Sequence, residues 1–248
     1  MIRLEGVTRS FPLPDGGESI AVDALDLEVR RGELLCLIGG SGSGKTTTLR
    51  LLNRLIEPTS GRVLVDGEDV AGADPIALRR RMGYVVQRGA LFPHLTVREN
   101  VGLLCRMEGW DDERKRARVD ELLDMVRMPA VEFADRYPRE LSGGQRQRVG
   151  VARALALDPS IVLFDEPFGA LDPITRRELR SELRPLFAEL DKTVLLVTHD
   201  LDEAFELGSR VTVMDRGVAL QTGTRAELVD EPANEFVARF VRGHGAAR

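Results

Sequence analysis

Cysteine and aromatic residues are scarce in this chain. Of its 248 residues two are cysteine and 5% are aromatic, with a single tryptophan. Cys36 and Cys105 lie in apolar surroundings, so we expect two small core residues rather than a disulfide or reactive thiols. The N-terminus "MIRLEGVTRSF" lacks the apolar segment and cleavage site of a secretory signal. Both features predict a chain that works in a reducing cytoplasm.

Long apolar runs and an excess of basic residues are also missing. The longest apolar stretches, such as "TVLLV" at 193–197, are far shorter than the roughly 20 residues of a membrane-spanning helix. Lysine and arginine number 35 against 40 acidic residues, which gives a net charge of -5. This balance, without a basic cluster, disfavours a nucleic-acid partner. The length and the 43% hydrophobic content predict one globular unit, with room for an inserted subdomain.

Two kinds of strand are predicted, and together they indicate an α/β fold. Alternating segments near the N-terminus and the Asp-Gly turn in "VLVDGEDV" at 63–70 are typical of a small antiparallel sheet. Short continuous apolar runs are instead typical of parallel strands that helices cover on both faces. These runs lie at residues 33–38, 83–86, 160–164 and 193–197.

A helical insert is expected within this α/β core, at about residues 89–158. Within it, residues 111–128 carry Val119, Leu122, Leu123 and Val126 at helical spacing. Asp111 or Asp112 would cap this amphipathic helix. Residues 242–248, "RGHGAAR", are expected to be a frayed tail.

Polar groups follow each of the four predicted parallel strands. They are a glycine-rich loop after residue 38, Gln87, the pair Asp165 and Glu166, and His199. Ligands of open parallel sheets bind beyond the carboxyl ends of the strands. The sequence therefore predicts that these groups serve one ligand.

The glycine-rich loop "GGSGSGKTT" identifies the chemistry of that ligand. It fits the G-x-x-x-x-G-K-[ST] pattern and lies between a buried strand and the predicted helix "KTTTLRLLNRLIE". In this context the backbone N–H groups surround phosphate oxygens, Lys45 neutralises the β- and γ-phosphates, and Thr46 offers a hydroxyl to Mg²⁺. The candidate nucleotide-binding residues are Gly39, Gly40, Ser41, Gly42, Ser43, Gly44, Lys45, Thr46 and Thr47.

The remaining strand-end residues have side chains suited to hydrolysis. Burying Asp165 and Glu166 together would be costly without a cation, so we expect Asp165 to serve Mg²⁺ and Glu166 to polarise the attacking water. His199 could hydrogen-bond the γ-phosphate and that water, and the Gln87 amide oxygen could contact Mg²⁺. Taken singly, the carboxylates could instead cap a helix, and His199 or Gln87 could be a hydrogen-bonded buried polar group.

These motifs, in this order, closely resemble the ATP-binding cassette ATPases of the ABC transporter superfamily. The resemblance rests on "GGSGSGKTT", Gln87, "LSGGQRQR" at 141–148, "IVLFDEP", the "GALD" turn ending at Asp172, and "VTHD". It covers essentially the whole chain and implies an ABC ATP-binding domain at 1–241. It further implies a P-loop NTPase fold with a RecA-like parallel core sheet, an N-terminal antiparallel β subdomain and an inserted α-helical subdomain.

Further residue roles come from the resemblance alone. Phe11 would stack on adenine, where the family more often has tyrosine, and Gly40 stands where proline is commoner. The signature turn Ser142, Gly143, Gly144 and Gln145, a helix N-terminus suited to an anion, would cover the γ-phosphate held by a second copy of the chain. Two ATP molecules would then lie between two cassettes, with ATP and Mg²⁺ as the bound species. Asp172 belongs to the same set of nucleotide-site residues.

The resemblance also implies a membrane partner. The segment that begins at Leu91 and ends at Val97 would dock an integral-membrane permease, although a patch of this kind in a lone protein is more often packed against its own core. The chain would then act at the cytoplasmic face of the cell membrane, with a substrate-binding protein as an indirect partner.

The class of the transported solute follows from two longer segments. "GYVVQRGALFPHLTVREN" and "DEPFGALDPITRRELRSEL" look most like importers of glycine betaine, carnitine and choline. Amino-acid or other amine uptake is the alternative. Some of those relatives carry regulatory domains after the cassette, and because the sequence ends at Arg248 we expect no osmotic sensing by that device.

Function classes other than transport fit less well. A cassette acting on nucleic acid or the ribosome would carry two cassettes, a long coiled-coil insert or a basic linker. A GTPase would carry Asn-Lys-x-Asp, a P-loop kinase would leave "LSGGQ" unexplained, and a non-hydrolysing module would not need both Glu166 and His199.

Overall fold

The computed structural model describes residues 1–87, 90–169, 171–189 and 192–245. The chain forms two compact units, Met1–Arg79 together with Thr193–Arg248, and Arg80–Lys192. Length and composition predicted one globular unit with room for an inserted subdomain. The first unit is assembled from two separate segments of sequence because the whole second unit is inserted between them.

The first unit contains an antiparallel sheet and a mainly parallel set of strands. The antiparallel sheet has the order β2-β1-β4-β5, and β3 lies between β8 and β9, parallel to both, with β10 antiparallel to β9. The strands of the first unit are β1 Ile2–Pro12, β2 Glu18–Val29, β3 Leu34–Gly39, β4 Ser60–Val65, β5 Glu68–Asp69, β8 Thr193–Thr198, β9 Arg210–Asp215 and β10 Val218–Gly223. The predicted antiparallel sheet and the hairpin at the Asp-Gly turn are confirmed.

The helices of this unit are α1 Lys45–Leu52, α2 Pro75–Arg80, α9 Leu201–Leu207, α10 Arg225–Asp230 and α11 Glu235–Gly245. Two of them, α1 and α9, pack on the parallel strands. Strand β3 is fully covered, with Leu35, Cys36, Leu37 and Ile38 inaccessible to solvent, as expected for a strand between helical layers. The prediction of Cys36 and Cys105 as core residues is confirmed, since both are buried free thiols.

The C-terminal helix extends into residues 242–248, the segment predicted to be a frayed tail. Helix α11 continues to Gly245. Val237 and Val241, four residues apart, are buried on one face, and this pairing favours continued helix. Residues 246–248 of the predicted tail lie outside the described part of the chain.

The second unit pairs two parallel strands with a group of helices. Strand β6 Met82–Val85 lies parallel to β7 Ile161–Asp165, with Val85 opposite Phe164. The helices are α3 Val97–Val101, α4 Leu103–Met107, α5 Asp112–Met125, α6 Ala130–Phe133, α7 Gly143–Ala154 and α8 Pro173–Glu189.

The helices between β6 and β7 occupy the region predicted as a helical insert, whose first residue, Gly89, is outside the described residues. Asp111 caps α5 by accepting a hydrogen bond from the Arg114 N–H at 2.8 Å, which settles which of the two candidate aspartates is the cap. Val119, Leu122 and Leu123 face the core of this unit. No described helix is long and apolar enough to cross a membrane.

A buried asparagine fixes the loop that precedes α3. The Asn100 side-chain amide donates to the carbonyl oxygens of Phe92, Leu95 and Thr96 at 3.1, 3.0 and 2.9 Å. Its Oδ1 accepts from the Phe92 N–H at 2.8 Å. Asn100 is 0% exposed, whereas Phe92 is 43% exposed. One side chain therefore holds the loop backbone while the phenyl ring points outward.

Asn100→Asp should destabilise the second unit strongly, because the carboxylate cannot donate to the three carbonyl oxygens. Unsatisfied buried groups cost about 1–3 kcal/mol each, so we expect a loss of at least about 2 kcal/mol in the free energy of unfolding by urea. Asn234→Asp is the matched control, since Asn234 uses its Oδ1 as acceptor for the Val237 N–H and aspartate retains that function. Equal stability of the two variants would contradict this role of Asn100.

Candidate functional site

The glycine-rich loop of the first unit joins β3 to α1, as the sequence predicted. Gly39 is the last residue of β3 and Lys45 is the first residue of α1. The Lys45 ammonium donates to the carbonyl oxygens of Gly39 and Gly40 at 2.9 Å each, and to Ser43 Oγ at 3.1 Å. Lys45 is only 6% exposed. A buried cation is therefore held against the loop, next to exposed backbone at residues 40–42.

The shape of this loop depends on glycine at position 44. Gly44 has φ +97°, in the left-handed region, and a Cβ there would lie 2.5 Å from the Ala21 carbonyl oxygen. The Gly217 N–H supports the loop from the β9–β10 turn by donating to the Ser43 carbonyl at 3.1 Å. A Cβ at Gly40 would meet nothing within 4 Å among the described residues beyond its chain neighbours. Glycine is therefore not sterically required at this position, where the family more often has proline.

His199 lies at the same edge of the parallel strands as the glycine-rich loop. Ile38 of β3 is opposite Thr198 of β8, so Gly39 and His199 each come next at the carboxyl ends of neighbouring strands. His199 is exposed. Within the first unit the structure therefore brings together the loop and the histidine that the sequence proposed for one ligand.

Phe11 lies on β1 and is partly exposed. The Arg9 guanidinium lies over its ring, 4.5 Å from the centroid, and donates from Nη1 to the Glu57 carbonyl at 3.0 Å. Because the guanidinium covers one face of the Phe11 ring, a planar ligand would stack on the other face.

The second unit brings Gln87, Asp165 and Glu166 together. Strands β6 and β7 end side by side, and the Gln87 amide nitrogen donates to Glu166 Oε2 at 3.3 Å. The Tyr84 hydroxyl donates to Asp165 Oδ2 at 3.1 Å. Asp165 is 9% exposed, and Glu166 is half-buried. Tyr84 is a partner that the sequence analysis missed, although a tyrosine in an otherwise apolar strand was the available signal.

The backbone of Glu166 adopts an unusual conformation. Its φ is 47°, in the left-handed region, which is sparsely populated by residues other than glycine. Such conformations cost about 1–3 kcal/mol and are concentrated at functional sites. Here the turn directs the chain away from β7 immediately after Asp165.

The signature turn is a capped helix N-terminus. Ser142 Oγ accepts from the Gln145 N–H at 3.2 Å, and Gln145 Oε1 accepts from the Ser142 N–H at 2.8 Å, which together form a capping box. Ser142 is exposed. A Cβ at Gly144 would lie 2.8 Å from Thr175 Cγ2 of α8. The second glycine therefore lets α7 pack closely on Thr175 of α8, a role that the sequence did not indicate.

Asp172 caps the start of α8. Its Oδ1 accepts from the backbone N–H groups of Ile174 and Thr175, both at 3.1 Å. Hydrogen bonds from the Thr175 side chain and backbone lower the pKa of the Asp172 carboxyl. Ala170, within the "GALD" turn, lies outside the described residues.

The proposed magnesium ligands have suitable chemistry. Thr46 contributes a hydroxyl, Gln87 an amide oxygen and Asp165 a carboxylate, the hard oxygen donors that Mg²⁺ prefers. The Gln87 nitrogen donates to Glu166, so the amide oxygen is the atom that a metal ion would contact. Within the described ranges no three histidine, cysteine or acidic side chains cluster as a metal site, and Mg²⁺ commonly binds through one or two carboxylates plus substrate phosphates.

Known proteins resemble this chain along nearly its full length. The glycine betaine/carnitine/choline transport ATP-binding protein OpuCA of Bacillus subtilis (strain 168) is 49% identical over 241 residues, covering 97% of this chain and 62% of that protein. The osmoprotectant import ATP-binding protein OsmV of Salmonella typhimurium is also 49% identical, covering 97% and 63%. The chain thus spans about three fifths of the length of these relatives.

A solved structure and a family model agree with these relatives. The ATP-binding cassette MJ0796, in a dimeric post-hydrolysis state bound to ADP and Pi, superposes with a TM-score of 0.80 at 35% identity. The match covers 90% of this chain and 98% of that one, and it supports the predicted P-loop NTPase fold. The model of the ABC transporter family matches residues 22–169. The chain therefore belongs to the ABC transporter family.

Proposed function

We propose that the chain is the ATP-hydrolysing subunit of an ABC importer for a small quaternary-amine osmoprotectant. The observation that carries the nucleotide assignment is the buried Lys45 ammonium, held by carbonyl oxygens of the loop between β3 and α1. Phosphate binding at such a loop uses backbone N–H groups, the N-terminal end of the helix dipole and the lysine charge together. Exposed Ser41 and Gly42, buried Ser43, and half-buried Thr46 and Thr47 complete this loop.

The remaining residues divide the work of hydrolysis. Mg²⁺, when bound, would neutralise charge on the β- and γ-phosphates, with Thr46, Gln87 and Asp165 as its protein ligands. Glu166 is the proposed general base for the attacking water, and its place at the end of β7, hydrogen-bonded to Gln87, supports this role. His199 would donate a hydrogen bond to the γ-phosphate. Phe11 would stack on adenine.

The signature turn is proposed to bind the nucleotide of a second copy. Ser142 is exposed and its Oγ accepts from the Gln145 N–H, which leaves the hydroxyl proton able to donate to an anion. The first N–H groups of α7 and the dipole of this helix also stabilise a bound phosphate. In this proposal Gly143 and Gly144 contribute backbone donors, while the Gln145 side chain acts through the cap.

Docking to a permease is proposed at residues 91–97. Phe92 is the exposed apolar residue there, and Asn100 holds the backbone beneath it. A preformed apolar surface binds a partner without an ordering cost. The chain would thereby be held at the cytoplasmic face of the membrane, with a substrate-binding protein delivering the solute to the permease.

The solute class rests on relatives whose names specify glycine betaine, carnitine or choline transport. The glycine betaine uptake system ATP-binding protein YehX of Escherichia coli (strain K12), 44% identical, belongs to this group, and 76% of its length is covered. Copurification of the chain from its source membranes would identify the permease. Uptake of labelled glycine betaine into proteoliposomes with that permease and its binding protein then tests the solute. ATP-driven uptake of an amino acid instead would contradict the class.

Glu166→Gln should bind ATP normally but hydrolyse it at least about 100-fold more slowly, the usual scale of a general-base effect. The measurement is steady-state phosphate release together with an ATP dissociation constant. Glu178→Gln, the same change at an exposed position of α8, should stay near wild type. Near-normal turnover by Glu166→Gln would remove Glu166 from the role of general base.

Ser142→Asp should abolish ATP-driven dimerisation, because aspartate preserves the helix cap but places a negative charge against the γ-phosphate of the partner copy. Ser142→Asn is the control, since aspartate and asparagine are comparable N-caps. The measurement is the dissociation constant of the dimer with ATP, obtained by light scattering on the Glu166→Gln background. We expect this constant to be at least about 10-fold higher for the aspartate variant than for the asparagine variant, equivalent to about 1.4 kcal/mol. Equal dimerisation of both variants would show that the turn does not face a phosphate.

A further inference from the structure

The turn that carries His199 is spanned by a closed network of hydrogen bonds. The Thr198 hydroxyl donates to Glu203 Oε2 at 2.5 Å, and Thr198 Oγ1 accepts from the Asp200 N–H at 3.0 Å. Asp200 Oδ1 in turn accepts from the Glu203 N–H at 3.1 Å. The bonds join the residue before His199, the residue after it, and the first turn of α9.

Burial distinguishes this network from a surface arrangement. Thr198 is 1% exposed and Glu203 is 3% exposed, whereas His199 between them in sequence is exposed. A buried carboxylate is costly unless hydrogen bonds compensate its desolvation. Asp200 provides the N-cap of α9, and Glu203, in the first turn of that helix, directs its carboxylate to the Thr198 hydroxyl.

The network instead fixes the backbone on both sides of the histidine. Thr198 is held in the β8 strand by its pairing with β3, opposite Ile38. Its hydroxyl oxygen binds the N–H two residues later, a local bond that spans the intervening residue. Glu203 then fixes the orientation of the same hydroxyl by accepting its proton. The backbone on both sides of His199 is thereby held, which fixes the point from which its imidazole extends.

We propose that Thr198 and Glu203 are positioning residues that set the direction of the His199 imidazole through this network. The inference rests on the proposed role of His199 in ATP hydrolysis. Turnover depends steeply on placement, and a displacement of about 1 Å can reduce a rate by about 100-fold. Neither residue contacts nucleotide in this proposal.

The test compares two isosteric changes of buried threonines in β8 and β9, the strands on either side of β3. Thr198→Val removes the hydroxyl of the network. Thr212→Val is the matched control, because Thr212 is 0% exposed on β9 and its hydroxyl bonds Thr222 at 2.8 Å. We expect Thr198→Val to lower kcat by about 10-fold to 100-fold while the dissociation constant for ATP changes less than about 2-fold. Thr198→Ser, which keeps the hydroxyl, should recover most of the activity, and Thr212→Val should match wild type.

A spectroscopic readout separates positioning from loss of stability. The chain has three histidines, so in protein labelled at histidine the ring signals of His94 and His244 serve as internal references. The His199 signal should shift in Thr198→Val but not in Thr212→Val. Should Thr198→Val fail to fold, two variants of Glu203 provide the same comparison. Glu203→Gln keeps an acceptor oxygen for the Thr198 hydroxyl, whereas Glu203→Met does not. The methionine variant should then show the lower kcat and the shifted His199 signal.

Each result bears on a different claim. Equal kcat losses in the two valine variants, or an unmoved His199 signal in Thr198→Val, would overturn the positioning role. A wild-type chain that hydrolyses no ATP would instead contradict the proposed function, while a shifted His199 signal in Thr198→Val would still support the network.

Discussion

A protein that binds a triphosphate has to offer positive charge to the phosphates, and a buried positive charge is costly unless hydrogen bonds compensate its desolvation. The loop between β3 and α1 does this by holding the Lys45 ammonium with its own carbonyl oxygens. Gly44 makes the arrangement possible, since its φ of +97° and its closeness to Ala21 exclude a side chain. The loop thus places the cation next to the first N–H groups of α1, where both can interact with a phosphate.

The proposed nucleotide cycle uses the same physical device at the signature turn. A helix N-terminus is formed there by reciprocal bonds between Ser142 and Gln145, and its first turn packs closely on Thr175 of α8. In the proposed dimer the γ-phosphate lies between the N-terminus of α1 in one copy and the N-terminus of α7 in the other. Hydrolysis removes this phosphate and with it the negative charge that attracts both helix ends. In the proposed function the nucleotide state would thereby control the association of two copies, and residues 91–97 would pass the resulting movement to the permease.

Sequence alone predicted the antiparallel sheet, the hairpin at residues 63–70 and the strand ends that carry Gln87, Asp165 and His199. These depend on local signals, namely periodicity, turn residues and short motifs. It did not predict the two-unit division, the helical end of α11, or the partners Tyr84, Thr175 and Asn100. Those contacts join residues distant in sequence or involve backbone carbonyls, for which a single sequence carries no periodic signal. Glycine at position 144 is an example, because the sequence pattern suggested phosphate binding, whereas the structure also shows close packing on Thr175.

The central claim is that one ATP is bound by the glycine-rich loop of one copy and the signature turn of another. Cysteines placed at Ser41 and Ser142 of separate copies, with Cys36 and Cys105 buried, can be joined by a short bifunctional thiol reagent. The account predicts a cross-linked dimer that forms with Mg-ATP on the Glu166→Gln background and only when the two copies carry different cysteines. A cross-link that forms equally without nucleotide, or none between copies at any ATP concentration, would contradict it.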